Sequence, residues 1–300
     1  MQLKYYIESF RLRTLPLAIA GTIVGSSCSV AGGSFKPWVF LMALLTTVCL
    51  QVLSNISNEV GDLEKGTDNA NRLGPIRSAQ SGKLSLLQLK NAMVFFVALS
   101  VVFGMLLIYA SFATFLCMPA VSMLVMGAGA IVASIKYTYG KKSYGYIGLG
   151  DLFVFVFFGL VSVLGVYFLA TGRFEIIYLL PASAIGMLST GVLNVNNLRD
   201  VDNDANFNKR TLVVRFGTGI MKLYHTILIL GALLLMLVFN ILEELAPISY
   251  LFLLSTPLFV WHLYKIHSCV GRDLDPQLKV LSITSLLLSI LFSIGLLYVK

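Results

Sequence analysis

The sequence predicts an all-α, polytopic membrane protein: a bundle of nine transmembrane helices with Asp-rich loops on its cytoplasmic face. Three observations carry that prediction. The 300 residues are 57% hydrophobic and only 12% charged, about half the charge of a soluble domain, which runs near 25%. The apolar residues fall in runs close to the ~20 needed to cross a bilayer. Lys and Arg gather in alternate breaks between those runs, the pattern that orients helices in a membrane. No run of soluble-domain character interrupts the series, so residues 1–300 read as one membrane domain.

The spans are expected near 14–33, 37–58, 86–110, 113–135, 147–170, 177–197, 222–241, 247–264 and 278–298. Helices are the only candidates, because hydrocarbon offers no partner to an open backbone group. The first run follows a head carrying Lys4, Glu8, Arg11 and Arg13. A basic head before an apolar run also marks a secretory signal, but Pro16 inside the run and the many spans after it predict a retained helix. The break after the second run holds Lys65, Arg72, Arg77, Lys83 and Lys90; the break after the fourth holds Lys136, Lys141 and Lys142. Arg199, Lys209, Arg210, Arg215 and Lys222 follow the sixth run, and Lys265, Arg272 and Lys279 the eighth. With the N-terminus in the cytoplasm, nineteen of the 22 Lys and Arg residues lie on that side, leaving Lys36, Arg173 and Lys300 outside. Removing one middle helix would scramble this division, so it supports the odd span number. Glycines within the runs (Gly21, Gly25, Gly159, Gly186 and others) let helices approach closely. The net charge of +8 follows from loop orientation and predicts no nucleic-acid partner. Cys28, Cys49, Cys117 and Cys269 are scattered without metal-ligand spacing and read as small buried hydrophobes.

Chemistry enters at two of the breaks. The second run ends in Asn58, Glu59 and Asp62, with Asp68 six residues on; the sixth ends in Asn197, Asp200, Asp202 and Asp204. Asn58 and Asp62 share a helix face, as do Asn197, Asp200 and Asp204, while Asp202 points elsewhere. Acids crowded at a helix C-terminus, the negative end of its dipole, need a compensating cation. Oxygen ligands without His or Cys suit Mg2+, which takes one or two carboxylates and completes its shell with water and phosphate. Arg72, Arg77, Arg199, Lys209 and Arg210 around the clusters add what an anion needs, since Arg grips phosphate through two N–H groups. Acids and bases together suggest a metal-bridged phosphate. The shared pattern at the two helix ends also suggests an old internal duplication.

These residues resemble a known family. The paired Asp motifs look like those of the UbiA-type intramembrane aromatic prenyltransferases, Asn-Asp-x-x-Asp-x-x-x-Asp and Asp-x-x-x-Asp. NEVGDLEKGTDNANRLGPIRS (58–78), YTYGKKSYGYIGLGDLFVFVFFG (137–159) and NNLRDVDNDANFNKRTLVVRFG (196–217) resemble the branch that prenylates 1,4-dihydroxy-2-naphthoate in menaquinone synthesis. The likeness runs from Arg13 to about Gly217; the last three spans match only as apolar helices. It implies a nine-helix bundle around a central cavity open to lipid, Mg2+ as cofactor, and a polyprenyl diphosphate donor. It implies metal ligands at Asn58, Glu59, Asp62, Asp68, Asp200 and Asp204, where Glu59 replaces the usual Asp and reaches one methylene further. It implies catalytic parts for those Asp residues and Lys141, and substrate contacts at Asn58, Arg72, Arg77, Tyr137, Asp151, Asn197, Arg199, Lys209 and Arg210. Placed in the bacterial cytoplasmic membrane, such an enzyme would ionise the diphosphate, and the ring would attack the allylic cation with loss of CO2.

Some residues keep two readings. Asp151, near the start of the fifth span, either lies at the interface beside a Lys or stands by the aromatic acceptor; an acid at membrane depth is a functional candidate. Tyr137, Tyr139, Tyr144 and Tyr146 fit an interfacial belt as well as a substrate wall. His225, His262 and His267 show no mutual spacing and are expected in ordinary packing. The rival functions are another acceptor, 4-hydroxybenzoate or a porphyrin, and a cation transporter, which would place its acids near the bilayer midplane.

Overall fold

The computed structural model describes residues 2–298, the Gln2 side chain apart, and every regular element among them is helical; Lys300, counted above on the outer side, lies outside the described residues. A short helix α1 (Gln2–Ser9) leads through a 3-10 turn to α2 (Leu15–Ala31), then α3 (Pro37–Glu64), α4 (Leu86–Phe112) and α5 (Met118–Lys136). The fifth span is composite: α6 (Gly150–Val154), a π-helical stretch Phe155–Val161, and α7 (Ser162–Thr171). α8 (Leu179–Arg199), α9 (Val201–Asn206), α10 (Leu212–Leu242), α11 (Thr256–Ser268) and α12 (Asp275–Leu297) complete the chain.

Local chemistry sets the ends. α2, α3, α5, α11 and α12 each carry Pro in the first turn, where the missing N–H has no helical partner to lose. α4 opens on a capping box between Ser85 and Gln88. Among the described residues, eight helical segments are long and apolar enough to cross a membrane. The expected span 247–264 is built differently, as a 3-10 helix Pro247–Ser255 feeding α11. Pro257 lacks the N–H that would bond four residues back, so α-geometry cannot run through this point. Nine 3-10 residues and thirteen α-helical ones reach about 18 Å and about 20 Å, enough together to cross. α10 begins ten residues before the expected 222 and kinks at Gly217, which puts Arg215 and Lys222 on a helix instead of in a loop.

α8 is the central post. It packs against α2, α10, α12 and the π-helical stretch, and Ala184, Ile185, Leu188 and Val195 are buried in the largest core cluster with Phe239, Phe259 and Phe292. A smaller cluster joins α3 to α4 through Leu53, Ile56, Val60 and Leu89. α5 buries only Ala120 and Ala133, leaving Val125 and Val132 outward as a lipid-facing surface. Two of the histidines do meet, contrary to the sequence expectation. His225 Nε2 lies 2.9 Å from His262 Nε2, and His262 Nδ1 lies 2.9 Å from Gln277 Oε1, a polar chain that fastens α10, α11 and α12 inside the bundle.

The π-helical stretch and α8 cross in close contact. A Cβ on Gly159 would stand 2.5 Å from Gly186 Cα, and one on Gly186 would stand 2.8 Å from the Phe155 ring. Glycine alone allows the two backbones to touch, the packing that membrane helices favour. Gly186→Val is expected to cost roughly 1–3 kcal/mol by overpacking, read as a lower melting temperature in detergent; an unchanged melt would contradict this account of the crossing.

Candidate active site

The acidic ends of α3 and α8 meet. α3 continues through Glu64, so Asn58 and Asp62 ride its last turns, and the chain then folds back as Thr67 and Asp68 both donate N–H groups to the Asp62 carbonyl at 2.9 and 3.2 Å. α8 breaks at Asp200 (φ −101, ψ 15) and restarts as α9 carrying Asp204. Two amides zip these segments together: Asn203 Nδ2 donates to the Thr67 carbonyl and Asn69 Nδ2 to Asn203 Oδ1, each at 2.9 Å.

The carboxylates are held by interleaved bases. Arg77 reaches Asp62 at 3.1 Å and Asp68 at 2.5 Å. Arg72 reaches Asp68 at 3.3 Å and Asp200 at 3.9 Å, bridging the two motifs. Arg199 forks onto Asp200 at 3.0 and 2.5 Å, and Lys209 pairs with Asp204 at 3.3 Å. Tyr146 donates its hydroxyl to Asp62 Oδ1 at 3.0 Å. Burial alone would raise the Asp200 carboxyl, but the hydrogen bonds and charge of Arg199, with Arg72 and Lys209, hold it below the usual carboxylate range. Asp204 is less well compensated. Burial, with Asp200 and Asp62 adding to it, pushes Asp204 up to about 6 against the pull of Lys209. Lys209, which burial would lower, is raised above the ordinary lysine range by Asp204 and Asp62.

That imbalance fits a divalent cation. Asp204 Oδ2 is buried without a hydrogen-bond partner among the described residues, and Asp204 lies on the cavity wall with Asp62 and Asp200. The donors are oxygens, as Mg2+ requires. Among the described residues no three His, Cys, Asp or Glu side chains stand close enough to hold an ion alone, so water or phosphate oxygens must complete the shell.

The cavity, about 320 Å3, has a charged mouth and an apolar depth. Below the carboxylates, Tyr137, Tyr144, Phe153, Phe157 and Phe158 line one side; Leu107, Met123, Met126, Val166 and Leu169 line the deeper part. Tyr144 stacks on Phe153 with centroids 4.0 Å apart and meets Tyr137 edge-on at 5.4 Å. Of the two readings of these tyrosines, Tyr137 and Tyr144 are wall residues.

Asn58, Asp62, Arg72, Arg77, Tyr137, Asp200, Asp204 and Lys209 therefore stand at the cavity. Asp68 and Arg199 are buried behind them, paired to Arg72, Arg77 and Asp200. The other expected site residues lie elsewhere. Glu59 turns away from the mouth to accept the Ala79 N–H at 2.8 Å, pinning the loop instead of facing a metal. Asn196 lines the cavity in place of Asn197, because Asp200 breaks the helix and α9 no longer continues the face drawn through Asn197. Lys141 and Arg210 are exposed and away from the cavity; Arg210 contributes a backbone N–H to the Tyr146 carbonyl at 3.0 Å. Asp151 is buried beside neither lysine nor the main cavity. It lines a separate recess between α6, α8 and α10 with Thr190, Met187 and Tyr224.

Sequence reasoning missed Arg11 and Arg13. Arg11 and Arg13 both line the cavity, and Arg11 takes a left-handed backbone (φ 50, ψ 61) at the turn into α2. Their only signal was two bases beside the first span.

Comparison with known proteins agrees with this architecture. The model of the UbiA prenyltransferase family matches residues 18–296. A 1,4-dihydroxy-2-naphthoate octaprenyltransferase of Haemophilus influenzae is 42% identical over 99% of this chain and 96% of its own. One of Escherichia coli is 41% identical over 90% of this chain and 86% of its own. A UbiA homolog from Archaeoglobus fulgidus, solved bound to GPP and Mg2+, superimposes with a TM-score of 0.60 at 16% identity, covering 97% of this chain and 99% of that one; this shows a common fold.

Arg72→Met should leave Asp68 to Arg77 and Asp200 to Arg199 alone, with no base bridging the two motifs. Removing one partner of a buried pair costs on the order of 3 kcal/mol, so the melting temperature should fall, and MgCl2 with pyrophosphate should recover part of the loss. A fall that these additions leave untouched would argue against a cation site here.

Proposed function

The chain belongs to the UbiA prenyltransferase family, and we propose that it transfers a polyprenyl group from polyprenyl diphosphate to 1,4-dihydroxy-2-naphthoate, releasing diphosphate and CO2 and giving demethylmenaquinol for menaquinone synthesis. One observation carries the reading. Asp62, Asp200 and Asp204 open onto the same cavity as Arg72, Arg77 and Lys209, and that cavity continues into an aromatic and apolar channel. A charged head and a hydrocarbon tail are each provided for. The acceptor is supported by the two relatives named for it, at 41% and 42% identity.

Asp62, Asp200 and Asp204, with Asn58 at the rim and Asp68 behind, would hold Mg2+. When bound, Mg2+ neutralises the diphosphate and the oxygen that departs with it. Arg77 and Lys209 now spend their N–H groups on carboxylates; with those acids engaged by metal, the same groups turn to the phosphate oxygens. Their charge counts most as the C–O bond lengthens and negative charge collects on the leaving oxygen. The bonding pair leaves with diphosphate, and the allylic cation faces Tyr137, Tyr144, Phe153 and Phe157, whose rings stabilise positive charge and keep water out. The electron-rich acceptor then forms the new C–C bond at its carboxylated carbon. Loss of CO2 returns the electron pair to the ring, so no separate base is needed. The charge distribution of the loops supports an enzyme of the bacterial cytoplasmic membrane, with N-terminus and acidic mouth on the cytoplasmic side and the prenyl tail drawn from lipid.

Membranes containing the protein, given 1,4-dihydroxy-2-naphthoate, a polyprenyl diphosphate and Mg2+, should yield prenylated naphthoquinol by mass spectrometry; product from 4-hydroxybenzoate instead would overturn the acceptor assignment. Omitting Mg2+, or Asp62→Ala or Asp204→Ala, should lower turnover at least about 100-fold in folded protein. Glu59→Gln, which still accepts the Ala79 N–H, should keep most of it.

A further inference from the structure

Arg199 is unusual among the bases of the site. Its side chain is 0% exposed, it does not line the cavity, and all three guanidinium nitrogens are committed. Nε and Nη2 fork onto the two oxygens of Asp200 at 3.0 and 2.5 Å, Nη2 also donates to Asn196 Oδ1 at 2.8 Å, and Nη1 is bound by Asp275 Oδ1. Asp275 stands at the start of α12, in the stretch where the sequence reads only as loop and apolar helix. It holds a second arginine as well. Arg13 Nη1, from the turn before α2, lies 3.2 Å from both Asp275 oxygens.

We propose that Asp275 is a positioning residue that keeps Arg199 and Arg13 from over-neutralising Asp200, and so keeps Asp200 available to the metal. The inference rests on the metal-binding part given to Asp200 above. Asp200 is approached by Arg199 and, at 3.9 Å, by Arg72. Without Asp275, Arg199 has one carboxylate left to pair with, and Arg13 loses its only carboxylate partner among the described residues while still on the wall of the cavity that Asp200 also lines. Three guanidinium groups then bear on one carboxylate, and a divalent ion must compete with all of them. With Asp275 present, the fork is pinned at its far end and Arg13 is drawn to the other side of the acid. Partners one step behind a metal ligand commonly set affinity by ten- to a hundredfold.

The test separates this function from plain tethering of α12. Purified protein is titrated with MgCl2 at fixed geranyl thiodiphosphate, an unreactive donor analogue, and melting temperature is followed; initial rates are measured with the reactive donor over the same Mg2+ range. Asp275→Asn is expected to raise half-saturating Mg2+ about tenfold in both readouts, with the rate at saturating Mg2+ falling far less. Asp275→Glu, which restores the charge, is expected to recover much of the shift. An unchanged half-saturation, or a rate lost at saturating Mg2+ without a shift, overturns the inference. If Asp275→Asn gives no melting transition, Arg13→Gln decides: it removes one of the guanidinium groups said to compete with the metal, so half-saturating Mg2+ must stay the same or fall, and a rise overturns the inference. A wild-type protein that Mg2+ and the analogue fail to stabilise would instead refute the metal-diphosphate reading itself.

Discussion

Four buried carboxylates at the ends of two helices cannot coexist unless something of opposite sign lies between them. Each ion costs several kcal/mol to remove from water, and both clusters sit where the helix dipole is already negative. The protein meets this with alternation. Arg13, Asp275, Arg199, Asp200, Arg72, Asp68, Arg77 and Asp62 form one unbroken series of ion pairs running from α12 to α3. The rest of this end of the bundle depends on that series. It fixes the loop after α3 against the break after α8, joins the first spanning helix to the last, and leaves Asp204 outside it, ion-paired among the described residues to Lys209 alone.

The membrane part serves the same site by a different rule. There is no hydrophobic drive between helices in lipid, so close approach must come from shape. Gly159 against Gly186 supplies it where the composite fifth span crosses α8. The π-helical turn there widens the spacing of side chains along that span, and its flank presents Phe153, Phe157 and Phe158 to the cavity while Phe155 faces the recess beside Asp151. One helix thus walls two spaces. π-turns cost regular hydrogen bonding and tend to persist where function uses the altered side-chain register.

Much of this was legible in the residues. The helical membrane class follows from apolar length, because the bilayer makes length a physical requirement. The convergence of Asp62, Asp68, Asp200 and Asp204 was legible from charge crowded at two helix ends with bases beside it. The failures have one cause, which is that a helix face drawn from spacing assumes an unbroken helix. Asp200 breaks α8, so Asn197 gave way to Asn196. Glu59 shares the turn with Asp62 but points to the Ala79 amide, and nothing in a one-dimensional pattern says which of two neighbouring acids faces the mouth. The resemblance implies a catalytic part for Lys141 and substrate contacts for both Lys209 and Arg210, yet of the three only Lys209 lines the cavity. Asp275 escaped notice because its partners are distant in sequence: Arg13 lies 262 residues away and Arg199 76.

The pairing seen here also says how a diphosphate can be bound without leaving charges stranded. Arg72, Arg77 and Lys209, the bases proposed to face phosphate, are each engaged with a carboxylate proposed to hold metal. On the proposed reading, metal and diphosphate arriving together would exchange these pairs for Asp–metal and base–phosphate pairs, so no buried charge would be uncovered on the way. Either ligand alone leaves one sign unmatched: metal without diphosphate displaces Arg77 and Lys209 into an apolar-walled cavity, and diphosphate without metal strips the cations from the four acids. The arrangement therefore favours joint occupancy. Arg199 is excluded from the exchange because its far end is fixed by Asp275, and one carboxylate so keeps its orientation while the others change partners.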